Sequence, residues 1–163
     1  MSTVRRFEEL IVWQKARALA NTIHTLTLRL PFREDSRLRT QILDAAGSVM
    51  HNIAEGHDAG SDAEFIRFLK IARRSASEVQ SELYLALDRG YISSAELKAT
   101  YAQADEIKRL INGLIAYLRS PSNPSAYPVR EAAAGYLAEL PPDSPLLLPP
   151  LFYSSHNPDN PAD

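Results

Sequence analysis

Along residues 7–118 apolar side chains return at three- and four-residue steps, the spacing that lines one face of an α-helix. Phe7, Leu10, Trp13, Ala16, Ala20, Ile23 and Thr27 share such a face and predict a first helix over about residues 8–30, ended by Pro31. Asp35 or Ser36 is placed to cap a second helix whose stripe, Ile42, Ala45, Ala46, Val49 and Ile53, uses mostly small side chains and runs to about Glu55. Gly47 and Ser48 lie within that helix although a mid-helix glycine costs roughly 1 kcal/mol against alanine. Close backbone approach is the simplest reason for them. Gly56 then stands where a left-handed C-terminal cap is expected.

Ser61 and Glu64 have the S-x-x-E spacing of a capping box, and Phe65, Phe68, Leu69, Ala72, Ala76, Val79, Leu83 and Ala86 carry one stripe to Asp88 before Gly90 stops it. That predicts a third helix of about 27 residues, roughly 40 Å long. Ser93 and Glu96 repeat the capping spacing. Leu97, Tyr101, Ala104, Lys108, Ile111, Ile115 and Leu118 follow as a near-heptad seam, with Lys108 its flaw, and Pro121 closes the fourth helix. The economical arrangement is all-α: an up-down-up-down antiparallel four-helix bundle over residues 1–120.

Beyond that point the pattern changes. Ten of the eleven prolines fall in residues 121–163, a Pro-rich C-terminal tail in which residues 129–140 could form a short helix. Leu146, Leu147, Leu148, Leu151 and Phe152 are its apolar contacts, for docking on the bundle, on a neighbouring subunit or on a partner.

Charge sharpens the division. The chain carries a net −2, but residues 1–120 hold 17 Lys+Arg against 15 Asp+Glu and residues 121–163 hold 1 against 5. The near-neutral body does not by itself call for nucleic acid. No apolar run reaches the ~18 residues of a spanning helix, and the acidic start lacks the form of a signal peptide, so a cytoplasmic chain with no membrane partner is expected. The absence of cysteine excludes disulfides, thiolate metal sites and a thiol nucleophile.

Candidate chemistry is thin. His51 and Glu55 at i, i+4 with His57 beyond could bind a divalent ion, but no second such pair recurs on another helix, so no metal and no cofactor are expected. Ser48, Ser75, Ser77 and His24 have no nameable partners, and no catalytic residue is assigned. Asn52, Glu55 and Glu78 stand near packing faces, where hydrogen bonds would fix helix register. Arg67, Lys70 and Arg74 lie at i, i+3, i+7 with Arg73 beside them, a row that can track phosphates and for which Arg37 and Arg39 are the candidate extension, although a solvated face is the commoner meaning of such a row.

Taken together, FEELIVWQKARALA, SVMHNIAEG and EFIRFLKIARRSASEVQSELYLALDRGYI resemble the four-helix-bundle family encoded by intervening sequences of bacterial large-subunit ribosomal RNA genes, over about residues 7–119. The accessory variability determinant of diversity-generating retroelements is a relative of that family. The resemblance implies a non-enzymatic protomer assembled as a ring-like homopentamer, with a reverse transcriptase and RNA or DNA as partners. It maps Asn52, Glu55, Gly56 and Glu78 to structural positions and Arg67, Lys70 and Arg73 to positions that could face a partner. Leu43-Asp44-Ala45, His57-Asp58 and Arg74 depart from the family pattern, the first two lowering positive charge along the second helix. The competing expectation is a protein-only scaffold.

Overall fold

A computed structural model of the chain describes residues 4–120. Four helices carry them: α1 (Ile11–Thr27), α2 (Ser36–Asp58), α3 (Asp62–Asp88) and α4 (Ser94–Leu118). Connections this short force successive helices to run antiparallel. Packing follows chain order around a square, most extensive between α2 and α3 and least between α1 and α4. The fold is the expected up-down-up-down bundle, with no strand among the described residues. Its axis is filled by Leu19, Ile23, Ile42, Ile53, Phe65, Leu83, Ile107 and Ile111, each essentially inaccessible to water. The proline-rich segment 121–163, with its expected short helix, lies outside the described residues.

The helix ends show how locally the sequence dictates the fold. Ser61 Oγ accepts the Glu64 N–H at 3.3 Å, but the Glu64 carboxylate turns to Arg67, so only half of the expected capping box forms at α3. At α4 the box is complete: the Ser93 N–H donates to Glu96 Oε2 at 2.8 Å while Ser93 Oγ accepts the Glu96 N–H at 3.2 Å. α3 closes with a Schellman motif, the Gly90 N–H donating to the Leu87 carbonyl and the Tyr91 N–H to that of Ala86, both at 2.8 Å. Gly90 has φ +73°, which the motif requires.

Three sequence expectations are corrected. The first helix is interrupted near its start: a 3-10 turn, Phe7–Glu9, leads to an extended Leu10 that drops its side chain into the core, and α1 begins only at Ile11. It also ends at Thr27, ahead of Leu30, the residue that Pro31 biases away from helix. Its buried stripe is Val12, Ala16, Leu19, Ile23, Leu26 and Thr27, leaving Trp13 and Ala20 at the margin. Gly56 is not a cap. α2 continues to Asp58, Gly56 is helical and buried, and the left-handed glycine of the turn is Gly60, with φ +76°. In α4 the core position is Ile107, while Lys108 sits beside it and donates from Nζ to Gln80 Oε1 at 3.0 Å.

Candidate functional site

The seam between α2 and α3 is where small residues and polar groups meet. A methyl group at Gly56 would lie 2.7 Å from Phe68 Cβ and 2.8 Å from Phe65 Cδ2, so the glycine is what lets α3 start so close to the last turns of α2. Two helical turns earlier Ser48 Oγ and Ser75 Oγ are 2.9 Å apart. Asn52 Nδ2 donates to Ser48 Oγ at 3.0 Å and to the Ser48 carbonyl at 2.7 Å. Ser75 is buried, so its hydroxyl depends on this partner. Of the three polar residues singled out from sequence, only Asn52 takes part in such a network. Glu55 and Glu78 are exposed and set no register through hydrogen bonds among the described residues.

Gly47 differs from Gly56. Its α-carbon faces outward, where an added methyl would meet only the His51 ring of its own helix at 3.6 Å. With Leu43, Asp44, Ser48, His51, Asn52 and Glu55 it lines an open depression of about 370 Å³ on α2. Among the described residues no group of three His, Cys, Asp or Glu is placed to hold a metal ion; His57 pairs instead with Asp58 at 3.0 Å.

The cation row follows the outer face of α3. Arg67, Lys70, Arg73 and Arg74 are all exposed. Arg67 lies with its guanidinium 4.4 Å above the Phe68 ring and is bound to Glu64 at 2.9 Å. Arg73 leans toward α4 and donates to Asn112 Oδ1 at 2.7 Å. Lys70 and Arg74 have neither a hydrogen bond nor an ion pair among the described residues. Arg37 and Arg39 do not join the row. They begin α2, which runs antiparallel to α3, and so sit near the opposite pole of the bundle, where Arg39 donates to the Arg33 carbonyl at 3.0 Å. Leu85 and Tyr84 continue the exposed side of α3 toward that pole, 40% and 51% accessible.

Other functional-looking groups escape a one-dimensional reading because they join distant positions. Asp35 accepts from Arg89 at 2.6 Å and from the Tyr91 hydroxyl at 3.1 Å, tying the α1–α2 and α3–α4 connections together. Its carboxyl is held low, first by the Leu38 N–H and then by these donors, and Tyr91 is pushed up by burial and by Asp35. Glu96 is lowered to about 2, chiefly by Arg29, whose Nη1 lies 2.6 Å away, and then by the Ser93 N–H. Glu82 goes the other way, raised by burial and by Glu78, with Oε2 shielded and unpaired among the described residues.

Residues 8–113 match the model of the 23S rRNA-intervening sequence protein family. The chain belongs to that family. Among solved structures, this intervening-sequence protein is similar to a protein of unknown function from the S23 ribosomal protein family of Bacteroides thetaiotaomicron VPI-5482, with a TM-score of 0.60 and 26% identity. The similarity covers 64% of this chain and 98% of that one. No curated protein matches it. The matched region is the bundle itself, so family membership and the cation row concern the same helices.

Proposed function

We propose that this intervening-sequence protein acts by contact and not by turnover, as a homo-oligomeric helical adaptor that holds RNA or DNA on the outer face of α3. The observation that carries the reading is the arrangement of Arg67, Lys70 and Arg74 within two turns of one exposed face, two of them without intramolecular partners among the described residues. Arg67, 4.4 Å over the Phe68 ring, adds a planar cation beside which a base can stack. Three phosphate contacts give a salt slope of about −2 for a single strand, too little for a tight complex from one copy. Assembly multiplies the rows, so affinity follows oligomer number. A reverse transcriptase as protein partner, and five copies per ring, are what the family resemblance adds to this reading.

The test is a salt-titrated binding measurement on RNA and DNA, with native mass spectrometry of the same samples. Expected are affinity that falls steeply with salt, a loss of roughly tenfold or more for Arg67→Glu with Arg74→Glu, and an oligomer of unchanged size. Failure to bind at low salt removes the nucleic-acid reading. One observation favours the rival protein-only scaffold: Glu64 and Asn112 already engage two of the four cations.

A further inference from the structure

We infer that the outer face of α3 accepts a single strand and rejects a duplex: phosphates follow Lys70 and Arg74, one unpaired base stacks where Arg67 covers Phe68, and another stacks on Tyr84. The inference rests on the function proposed above and narrows it to strands whose bases are free. Its first support is the exposed apolar surface. Tyr84 and Leu85, 51% and 40% accessible, are large side chains that the bundle leaves outside on the helix that also carries the cations. The Tyr84 ring makes a T-shaped contact with Tyr101, centroids 6.1 Å apart at 73°, which orients it while about half of the residue stays in solvent. A ring held in this way is a stacking surface that any base can use. Arg67, Arg74, Ser81 and Leu85 recur at seven- and four-residue steps on one line of α3, and Lys70 and Tyr84 stand beside it toward α4. About 25 Å separates Arg67 from Tyr84 along the axis. That is the length of about seven nucleotides at the stacked rise of about 3.4 Å, and of fewer once bases leave the stack.

The second support is how narrow the positive strip is. Glu78 flanks it on the side of α2, whose own outer face carries Asp44, Glu55 and Asp58. A duplex brings a second phosphate strand about 6–12 Å away across a groove, and packed helix axes lie about 8–10 Å apart. On the α2 side that second strand therefore meets carboxylates. Toward α4, Arg73 is already engaged by Asn112 and Arg109 is paired with Asp105 at 3.5 Å. With 17 Lys+Arg against 15 Asp+Glu in residues 1–120, the body supplies little general field to compensate. A duplex also keeps its bases stacked on one another and has none to offer Arg67 or Tyr84.

The experiment measures the affinity of the full chain, at low salt and along a salt titration, for an oligouridylate and an oligodeoxythymidylate of about 12 nucleotides, for an abasic deoxyribose-phosphate strand of the same length, and for the duplexes that the first two form with their complements. A single strand is expected to bind roughly tenfold tighter than its own duplex, and the tighter of the two single strands assigns the site to RNA or to DNA. Tyr84→Ala is expected to weaken the base-bearing strands about fivefold or more, with the abasic strand, the salt slope and urea unfolding unchanged, and Tyr84→Phe is expected to keep the native affinity. Arg67→Lys, which retains the charge and loses the plane, is expected to weaken the base-bearing strands about two- to fivefold and to spare the abasic one. Arg74→Gln is expected to weaken abasic and base-bearing strands alike and to lower the salt slope by about 0.7 per lost contact. A duplex bound as tightly as its single strand overturns the inference and leaves the proposed function standing. So does a Tyr84→Ala chain that binds every probe as the native one does, or that loses abasic and base-bearing strands equally. Failure of the native chain to bind any probe overturns the proposed function, and the inference falls with it.

Discussion

The α2–α3 seam and the α1–α4 seam bury apolar residues in the same bundle by different means. In the first, Ala45, Ala46, Gly56, Ala72 and Ala76 are small, the helices come close, and the buried Ser75 hydroxyl is satisfied by Ser48 at the margin. In the second, contact is sparser, the buried residues of the two helices include the larger Val12, Leu19, Ile23, Ile107 and Ile111, and long side chains close the margins, Lys15 to Glu106 at 2.9 Å and Arg29 to Glu96 at 2.6 Å. A close seam is intolerant of volume and insensitive to salt or pH; a wide seam is the reverse.

The largest expected break comes from the two glycines of α2. Gly56→Ala sets a methyl against Phe65 and Phe68 and is expected to destabilise the chain by about 2–3 kcal/mol, whereas Gly47→Ala meets no other helix and is expected to stabilise it by about 0.5–1 kcal/mol. Urea unfolding of both variants reads the contrast; equal effects would mean the seam is not close. Next come the serines. Ser48→Ala leaves the buried Ser75 hydroxyl without its partner and is expected to cost about 1–2 kcal/mol, while Ser75→Ala leaves Ser48 still accepting from Asn52 and is expected to cost less. The double variant is expected to cost less than the sum, and strict additivity in the cycle would show that the hydroxyls are not coupled.

The smallest effect belongs to the wide seam. Glu96 has its carboxyl held at about 2 by Arg29 and the Ser93 N–H. A group whose folded value is depressed stabilises the fold above its ordinary value near 4.5 and loses that contribution as pH falls toward 2. Glu96→Gln is therefore expected to cost about 1 kcal/mol near neutral pH, through cap and ion pair together. Thermal melts below pH 4 are expected to bring the two proteins together, and a constant gap down to pH 2 would contradict the assignment.

Where a signal was confined to one helix, the sequence was enough: α3 is bounded by Ser61 and Gly90 and striped by Phe65 to Ala86, and all three are local features. Leu10 failed as a helical residue because its spacing is periodic whether it lies in a helix or just before one. Gly56 was misread because Gly60, four residues on, supplies the left-handed turn, and only contact with Phe65 and Phe68 tells the two glycines apart. The cation row on α3 was legible from its i, i+3, i+7 spacing, but its extension to Arg37 and Arg39 was not, since axial position depends on the antiparallel register. Ser48 with Ser75, and Asp35 with Arg89 and Tyr91, pair residues 27 to 56 positions apart. No periodicity carries such pairings.

An even number of rods has a topological corollary. Val4, Ser120 and the turn at Gly60 all fall at one pole, while the links through Phe32 and Tyr91 close the other without a loose end. A label placed at Val4 or Ser120 therefore reports on the pole that carries Gly60, and the cap stitched by Asp35 and Arg89 belongs to the other.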